Sequence, residues 1–271
     1  MIIKMDKEFE KLKSEWYRND DVMFNIIDRM KYREGVFLRK NLVHRCLKIN
    51  KIDYFFKNAT RYHFFTKEPF NLYSSLAHYP NLPMFSFNIA EKRKQMDEFN
   101  IAFPQYMTGY DFLIDIDNED LDLAYSSAYK VKQILDRRKI IYWCCFSGKK
   151  GWHFRVDFQD FPQEMKELEF STLAKKFKLF AENLKDIENI PDIDTTIFDL
   201  RRIAKTPYSV VYPDYLVALP LTDIQFKDFN IKEMTLRWQL DNDDKLHRRG
   251  VIKRAGKKEN FMKLINDYTR L

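Results

Sequence analysis

The sequence is poor in glycine and cysteine, and it contains no long apolar run. Only 6 glycines and 3 cysteines occur among its 271 residues. The cysteines, Cys46, Cys144 and Cys145, form no C-x-x-C pair, which argues against a disulfide framework or a classical zinc ribbon. No stretch approaches the roughly 18–20 apolar residues of a membrane span, and residues 1–16 lack the apolar core typical of a signal peptide. We therefore expect an intracellular, cytoplasmic protein with no membrane partner.

Aromatic and other apolar residues are abundant instead. Hydrophobic residues make up 45% of the chain, with 24 Phe and 15 Tyr, which is typical of a globular protein and not of a disordered one. The length allows one large or two modest domains. Because no repeat or low-complexity linker interrupts the chain, we expect a single domain over residues 1–271. The net charge of +7 agrees with a polyanionic partner, and equally with an ordinary basic protein.

The spacing of apolar residues predicts helices interspersed with strands. The expected helices, apart from a short charged one, are the N-terminal helix 5–30 and helices over residues 121–138, 170–184 and 261–271. From residue 112 onward, the expected strands are residues 112–117, 140–146, 152–158, 190–194 and 216–219. This mixture predicts an α+β fold in which helices flank a mixed or antiparallel sheet.

The segment FLIDID, residues 112–117, ends a predicted strand with two carboxylates. Because residues i and i+2 of a strand point to the same face, Asp115 and Asp117 would lie side by side. Two carboxylates in that position repel each other unless a cation lies between them, and Mg²⁺ or Mn²⁺ prefers oxygen ligands of this kind. An isolated D-x-D is more often a solvated strand end, so the metal interpretation depends on the rest of the sequence.

A basic turn at residues 147–151 joins two predicted strands. Two glycines, Gly148 and Gly151, permit a tight turn. The cations and hydrogen-bond donors around them are Ser147, Lys149, Lys150 and His153. Donors and cations that converge on a tight turn suit a triphosphate, although the pattern is not that of a P-loop. The alternative is a basic hairpin tip with an incidental histidine.

A third polar cluster, residues 192–209, reads DIDTTIFDLRRIAKTPYS. An acid at the end of its predicted strand could complete a metal site. Arg202 and Lys205 are three residues apart and could both face a phosphate group. The alternative is a loop with surface ion pairs.

In this order, the three clusters resemble the catalytic core of the archaeo-eukaryotic primase superfamily. The superfamily includes the small catalytic subunit of DNA primases, primase-polymerases and the polymerase domain of bacterial end-joining ligases. The matching segments are FLIDID, FSGKKGWHFRV and RRIAKTPYSVVYPDYLVALPL, and the resemblance covers roughly residues 33–221. It implies a primase-type catalytic core over about residues 33–225, followed by a basic C-terminal segment and helix over residues 240–271.

The resemblance also implies a role for each matching position. Asp115 and Asp117 would be catalytic ligands of Mg²⁺ or Mn²⁺. The ligase-type spacing places the third acid at Asp194, whereas the primase-type spacing falls on Ile193; we take Asp194, with Asp192 and Asp199 as alternatives. The positions that would hold the nucleotide are Ser147, Lys149, Lys150, His153, Arg202, Lys205 and Ser209.

Two features depart from the primase pattern. Primase small subunits usually carry a histidine shortly after the serine of the third motif, and Val211 occupies that position here. Many primases also carry a zinc knuckle, for which this chain lacks the cysteines. The resemblance therefore does not extend to the sugar or phosphate contact of that histidine, or to any function that depends on the knuckle.

The activity implied by the resemblance is template-directed nucleotidyl transfer by two metal ions. The first expectation is a DNA primase catalytic subunit or primase-polymerase that makes primers on single-stranded DNA from NTP or dNTP. The alternatives are a gap-filling or end-joining repair polymerase, a non-catalytic nucleic-acid-binding module, and a metal-dependent nuclease. The protein partners expected for a primase are a large subunit or a replicative helicase, and its location would be nucleoid-associated. The basic segment 245–258 could contact template phosphates or could simply be solvated.

Overall fold

The computed structural model describes residues 7–39, 42–48, 71–80, 103–242 and 252–270. Its helices are α1 (Lys7–Arg18), α2 (Asp20–Met30), α3 (Leu121–Arg137), α4 (Gln163–Lys166), α5 (Phe170–Ile187), α6 (Asp223–Lys227), α7 (Leu236–Asp241) and α8 (Lys258–Thr269). Its strands are β1 (Arg33–Arg39), β2 (Leu42–Lys48), β3 (Asn71–His78), β4 (Gly109–Tyr110), β5 (Phe112–Asp117), β6 (Trp143–Phe146), β7 (Gly151–Val156), β8 (Ile203–Lys205), β9 (Val210–Val211), β10 (Leu216–Val217) and β11 (Leu219–Leu221). This content confirms the α+β class. None of the helices in these ranges is long and apolar enough to cross a membrane.

The N-terminal segment forms two helices, so the single helix predicted over residues 5–30 is wrong. The chain leaves the helical conformation at Asn19, whose side-chain oxygen accepts hydrogen bonds from the amides of Asp21 and Val22. An asparagine in this position satisfies amides that a new helix leaves without partners. Acidic residues in the first turn of α2 add favourable charge at its N-terminus. The apolar spacing continues through the break, which is why periodicity alone did not show it.

Helix α1 supports the part of the third motif around Tyr208. The indole of Trp16 donates a 2.8 Å hydrogen bond to the carbonyl of Tyr208. The amide of Val210 donates a 3.0 Å hydrogen bond to the hydroxyl of Tyr17. Trp16 and Tyr17 are at most 1% exposed, so these contacts lie inside the core. The N-terminal region therefore helps to position the chain around Tyr208.

A four-stranded antiparallel sheet has the order β11-β6-β7-β5. In its register Asp115 lies opposite His153, and Asp117 lies opposite Gly151. One face of β5 and β7 is fully apolar and packs into the core; its residues include Phe112, Ile114, Ile116, Trp152, Phe154 and Val156. The polar residues therefore share the opposite face, as the alternation predicted. The predicted strand over residues 216–219 is two short strands, β10 and β11, with different partners.

A second sheet contains five strands, in which β3 is central. Strand β1 lies between β2 and β3, while β4 and β8 share the other edge of β3. All these pairings are antiparallel. The chain passes from the second sheet into the four-stranded sheet between β4 and β5, at Asp111. The two sheets are thus joined directly at this residue.

The buried carboxylate of Asp111 binds side chains from both sheets. It pairs with Arg33 of β1 at 2.6 Å, with His78 of β3 at 2.8 Å, and with Arg155 of β7. Burial opposes ionisation, yet these three neighbours hold the pKa of Asp111 well below its ordinary value. Asp111 is therefore an ionic link between the sheets, and no sequence motif indicated it.

Candidate active site

A cleft of about 260 Å³ lies between the two sheets. Its lining includes residues of all three sequence clusters: Asp115, Asp117, Ser147, Lys149, Lys150, His153, Arg202 and Lys205. Residues outside the predicted set also line it: Asn71, Tyr73, Ile203, Ala204, Val211 and Tyr212. Predicted site residues that are distant in sequence are thus brought to one surface.

The two carboxylates of β5 face this cleft and each lies near a basic side chain. His153 Nε2 is 3.4 Å from Asp115 Oδ1. Lys150 Nζ is 3.1 Å from Asp117 Oδ2. Partial burial and the charge of Asp115 raise the pKa of Asp117, although the hydrogen bond from Lys150 opposes this shift. The repulsion expected from the D-x-D pattern is therefore present in the fold.

The turn between β6 and β7 is closed by a 2.9 Å hydrogen bond from the amide of Ser147 to the carbonyl of Gly151. Gly148 has φ +89°, and a Cβ there would lie 2.3 Å from a methyl group of Val211. A Cβ on Gly151 would lie 1.6 Å from the carbonyl oxygen of Ile116. The two glycines thus allow the turn to approach both β5 and the third motif closely.

The two lysines of this turn are held by different acids. Lys149 is half-exposed, and its Nζ lies 3.4 Å from Asp214. Lys150 Nζ lies 3.0 Å from Glu119 as well as close to Asp117. The hydrogen bonds with Glu119 and Asp117 raise the pKa of Lys150, so this side chain carries its positive charge.

The segment before the third motif pairs with the outer edge of β5. Asp194 donates its amide to the carbonyl of Asp115 at 2.9 Å, and Asp117 donates its amide to the carbonyl of Asp192 at 3.0 Å. The predicted strand over residues 190–194 is therefore a single antiparallel bridge between Ile116 and Ile193. Asp115 and Asp194 are consequently neighbours across this pairing.

The three candidate acids of this segment have different environments. Asp194 accepts a 2.8 Å hydrogen bond from the amide of Thr196, and its other oxygen is 3.4 Å from Arg202. Both oxygens of Asp192 accept hydrogen bonds from side chains, at 2.6 Å from Asn118 and 2.5 Å from Ser127. Asp199 is exposed and accepts from the amide of Arg201.

Lys205 differs from the other cations in the cleft because its partners are neutral. Its Nζ lies 3.2 Å from Asn71 Oδ1 and 3.1 Å from Tyr73 OH. Burial and the positive charge of Lys149 lower the pKa of Lys205 to about 7, while Asp214 opposes the shift. An anion in the cleft would relieve this cost.

Ser209 does not reach the cleft surface. It is fully buried, and its hydroxyl donates a 2.6 Å hydrogen bond to the carbonyl of Thr206. Among the described residues that line the cleft, Ser209 is absent, while Val211 is present. Ser209 therefore stabilises the backbone of the third motif and does not lie beside the other predicted nucleotide contacts.

Asn71 and Tyr73, which sequence reasoning missed, enter the cleft from β3. They are two residues apart and so share a face of the strand. Asn71 Oδ1 also accepts a 3.0 Å hydrogen bond from the amide of Tyr212. Only the alternation within NLYSSLAH could have indicated that these two side chains point the same way; the pairing of β3 with β8 could not be read from the sequence.

Two residues in the described part of the C-terminal basic segment form ion pairs. Lys253 lies 2.7 Å from Asp157 and also binds Asp160. Arg254 lies 3.0 Å from Asp223. The predicted template contacts Lys245, Arg248 and Arg249 lie outside the described residues. Lys253 and Arg254 therefore fasten the segment before α8 to the fold.

The donor set has the chemistry of a divalent-cation site but does not assemble three ligands. Asp115 and Asp117 offer carboxylate oxygens on one face, as Mg²⁺ or Mn²⁺ requires. Their mutual repulsion, visible in the raised pKa of Asp117, favours a bound cation. Within the described ranges, no three Asp, Glu, His or Cys side chains are grouped closely enough to hold a metal ion. Asp115 and Asp117 therefore suit a divalent cation, and among the described residues no third acid lies close enough to share it.

Of three comparisons with known proteins, only the one with solved structures found a match. No protein-family model matches the sequence, and no curated protein matches it. Among solved structures, the chain is similar to the polymerase domain of Mycobacterium tuberculosis Ligase D in complex with DNA, with a TM-score of 0.53 and 13% identity. The similarity covers 89% of this chain and 92% of that chain. It shows an α+β fold like that of this polymerase domain.

Proposed function

We propose that the protein is a template-directed nucleotidyltransferase of the primase-polymerase type. The observation that carries the proposal is the meeting of three separate sequence clusters in one cleft between two sheets. The cleft has acids on β5, cations on the turn after β6, and further cations on β8 and just before it. This combination suits an acidic metal site beside a triphosphate. The fold likeness to a polymerase domain solved with DNA supports the same conclusion.

Asp115 and Asp117 would hold divalent cations, with Asp194 as the third acid. Bound Mg²⁺ or Mn²⁺ would supply Lewis-acid activation of a primer hydroxyl and neutralise charge on the phosphates. Support for Asp194 comes from its backbone hydrogen bond to Asp115. Asp192 is less suited, because its oxygens are hydrogen-bonded to Asn118 and Ser127, which do not line the cleft, whereas Asp194 contacts Arg202, which does.

The cations of the cleft would bind and orient the nucleotide. Preorganised cations and donors stabilise the negative charge that develops on a leaving pyrophosphate. The residues assigned to this task are Ser147, Lys149, Lys150, His153, Arg202 and Lys205. Ser209 would act indirectly, by holding the turn that precedes it through its hydrogen bond to Thr206.

Primer synthesis on single-stranded DNA from NTP or dNTP is the first form of this activity that we propose. A primase large subunit or a replicative helicase is the protein partner that this form would involve. Gap-filling or end-joining repair synthesis is the second candidate, and the fold likeness to a ligase polymerase domain favours it. A nuclease would use the acids but would not need the basic turn, and a binding module would need neither arrangement.

The test is nucleotide incorporation with and without a primer. The protein is incubated with single-stranded DNA, labelled NTP or dNTP, and Mg²⁺ or Mn²⁺. New oligonucleotides without a primer support primase activity, whereas extension of a supplied primer alone supports the repair polymerase. Both must disappear in Asp115→Ala and persist in Asp122→Ala, which removes an exposed acid of α3 outside the cleft. No product in either assay, also with a partner subunit added, would overturn the proposal.

A further inference from the structure

Each proposed metal-ligand acid lies beside a basic side chain that is also assigned to the phosphates. Lys150 lies 3.1 Å from Asp117, Arg202 lies 3.4 Å from Asp194, and His153 lies 3.4 Å from Asp115. Two of the pairs join β5 to β7 and the turn before it, and the third joins Asp194 to Arg202 just before β8, so none of them is between adjacent residues. All three acids and all three basic residues are thus engaged with one another, and all of them except Asp194 line the cleft.

The paired arrangement limits what the basic side chains can do. A lysine that donates to a carboxylate has fewer donors and less net charge to offer a phosphate oxygen. Conversely, a carboxylate beside a lysine attracts a divalent cation less strongly. In each pair, a metal ion therefore competes for the acid and a phosphate group competes for the basic residue. Each would benefit if the other bound first.

Lys205 is the exception among the cleft cations. Its hydrogen-bond partners are Asn71 and Tyr73, and in the described part of the chain no carboxylate forms an ion pair with it. Lys205 is therefore free to contact a phosphate while Lys150 and Arg202 are still paired. A weak first contact without metal would depend on this residue.

We propose that the acids and basic residues of the site pair with one another when no metal ion is bound. Divalent cations that bind to the acids then release Lys150, His153 and Arg202 to the phosphates. The inference rests on the proposed function and adds to it a coupling between metal and triphosphate binding. The coupling passes through this chain's own side chains, in addition to any direct contact between metal and phosphate. By linkage, the triphosphate must strengthen metal binding by the same factor.

The test measures binding and does not require activity. Adenosine triphosphate is titrated by calorimetry in EDTA into the wild type, Asp117→Asn, Lys150→Met and the double variant. We expect Asp117→Asn to bind the nucleotide roughly two- to five-fold more tightly without metal, the size typical of a partly exposed ion pair. We expect the gain to vanish in the Lys150→Met background, because the released lysine is then missing.

A matched control separates release from general charge effects. Asp122→Asn removes the same charge from an exposed position outside the cleft, and we expect it to leave metal-free affinity unchanged. A gain in Asp117→Asn that persists without Lys150 would show mere loss of repulsion and would overturn the inference. The absence of any gain would overturn it as well.

The reciprocal effect is measured with Mn²⁺ alone. Lys150→Met removes the cation that competes for Asp117, so we expect Mn²⁺ to bind roughly two- to five-fold more tightly than in the wild type. Lys149→Met is the control, because Lys149 pairs with Asp214 and not with a proposed ligand. Equal effects of the two substitutions would contradict the inference.

The proposed function and the coupling can be disproved separately. If the wild type binds no adenosine triphosphate even with Mn²⁺, the proposed function fails and the coupling fails with it. If the wild type binds the nucleotide with Mn²⁺ but Asp117→Asn shows no Lys150-dependent gain, only the coupling fails.

Discussion

The amide of Asp194 donates a 2.9 Å hydrogen bond to the carbonyl of Asp115. This bond attaches the segment before the third motif to the free edge of β5, next to the first motif. Two acids that are far apart in the sequence thereby become neighbours. Asp192 is attached to β5 by the same pairing, so the preference for Asp194 depends also on its contact with Arg202, which lines the cleft.

The first prediction separates Asp194 from Asp192. We expect Asp194→Ala to reduce nucleotide incorporation at least about 100-fold, as loss of a catalytic charge contact does, and to lower the free energy of unfolding by only about 1 kcal/mol through its lost hydrogen bonds with Thr196. Asp192→Ala leaves Asn118 and Ser127 without acceptors, so it should lower the free energy of unfolding by about 1–3 kcal/mol. Single-turnover extension and urea unfolding measure the two effects. Lost activity with unchanged stability in Asp192→Ala, and retained activity in Asp194→Ala, would reverse the assignment.

The local parts of the site could be predicted from the sequence because they depend on strand alternation and turn chemistry. Asp115, Asp117 and His153 share a face for this reason, and the positive φ of Gly148 follows from the tight turn. The contribution of β3 could not be predicted in this way. Asn71 and Tyr73 reach the cleft because β3 pairs with β8, and such non-local pairing leaves no local pattern in the sequence.

Other differences also have physical causes. The break at Asn19 does not interrupt the apolar spacing of the N-terminal helices, so only its capping hydrogen bonds reveal it. Ser209 lies in the third motif at the spacing expected of a nucleotide contact, but the turn points its hydroxyl to Thr206. Motif spacing thus predicts which residues approach the cleft, whereas the direction of each side chain depends on the turn that carries it.

The second prediction concerns Gly151, where the turn meets β5. A Cβ at this position would lie 1.6 Å from the carbonyl oxygen of Ile116, which is backbone and cannot rotate away. We expect Gly151→Ala to separate the ends of β5 and β7 and to lower the free energy of unfolding by at least about 2 kcal/mol. Urea unfolding measures this change. Ser147→Ala, in the same turn, adds no bulk and should change stability by less than about 0.5 kcal/mol; equal effects would contradict the steric argument.

The third prediction concerns the ionic link at Asp111. Asp111→Asn leaves the buried guanidinium of Arg155 without its counter-charge, so we expect a loss of about 3–5 kcal/mol at neutral pH. The pKa of Asp111 is lowered on folding, so its stabilising effect is complete above the ordinary value of 3.8 and declines as the pH falls through the folded-state pKa. The difference between wild type and variant should therefore shrink on acidification.

Denaturation at a series of pH values tests this dependence. Asp267→Asn is the control, because its ion pair with Arg138 is partly exposed and should contribute no more than about 1 kcal/mol. A pH-independent difference between wild type and Asp111→Asn would argue that packing, and not charge, connects the sheets.

The fourth prediction is that Lys205, which we assign to nucleotide binding, lowers the stability of the folded protein. Its pKa is about 7 in the fold and 10.5 ordinarily, so folding is opposed most strongly below pH 7, where the buried amine must carry its charge. We expect Lys205→Met to raise the free energy of unfolding by about 1–3 kcal/mol at pH 6. The advantage should decrease as the pH rises from 7 towards 10.5. Thermal unfolding at pH 6 and pH 9 measures the change, and a less stable variant at pH 6 would contradict it.

The fifth prediction concerns nucleotide affinity. A phosphate beside Lys205 favours the charged amine, so binding should raise its pKa and take up a proton near pH 7. By linkage, the affinity for adenosine triphosphate should fall as the pH rises from 7 to 9. Lys205→Arg keeps its charge throughout this range and should remove most of the decline, whereas Lys205→Met should bind weakly at every pH. Calorimetry in two buffers of different ionisation enthalpy reports the proton uptake directly. An equal decline in the wild type and Lys205→Arg would assign the pH dependence to another group.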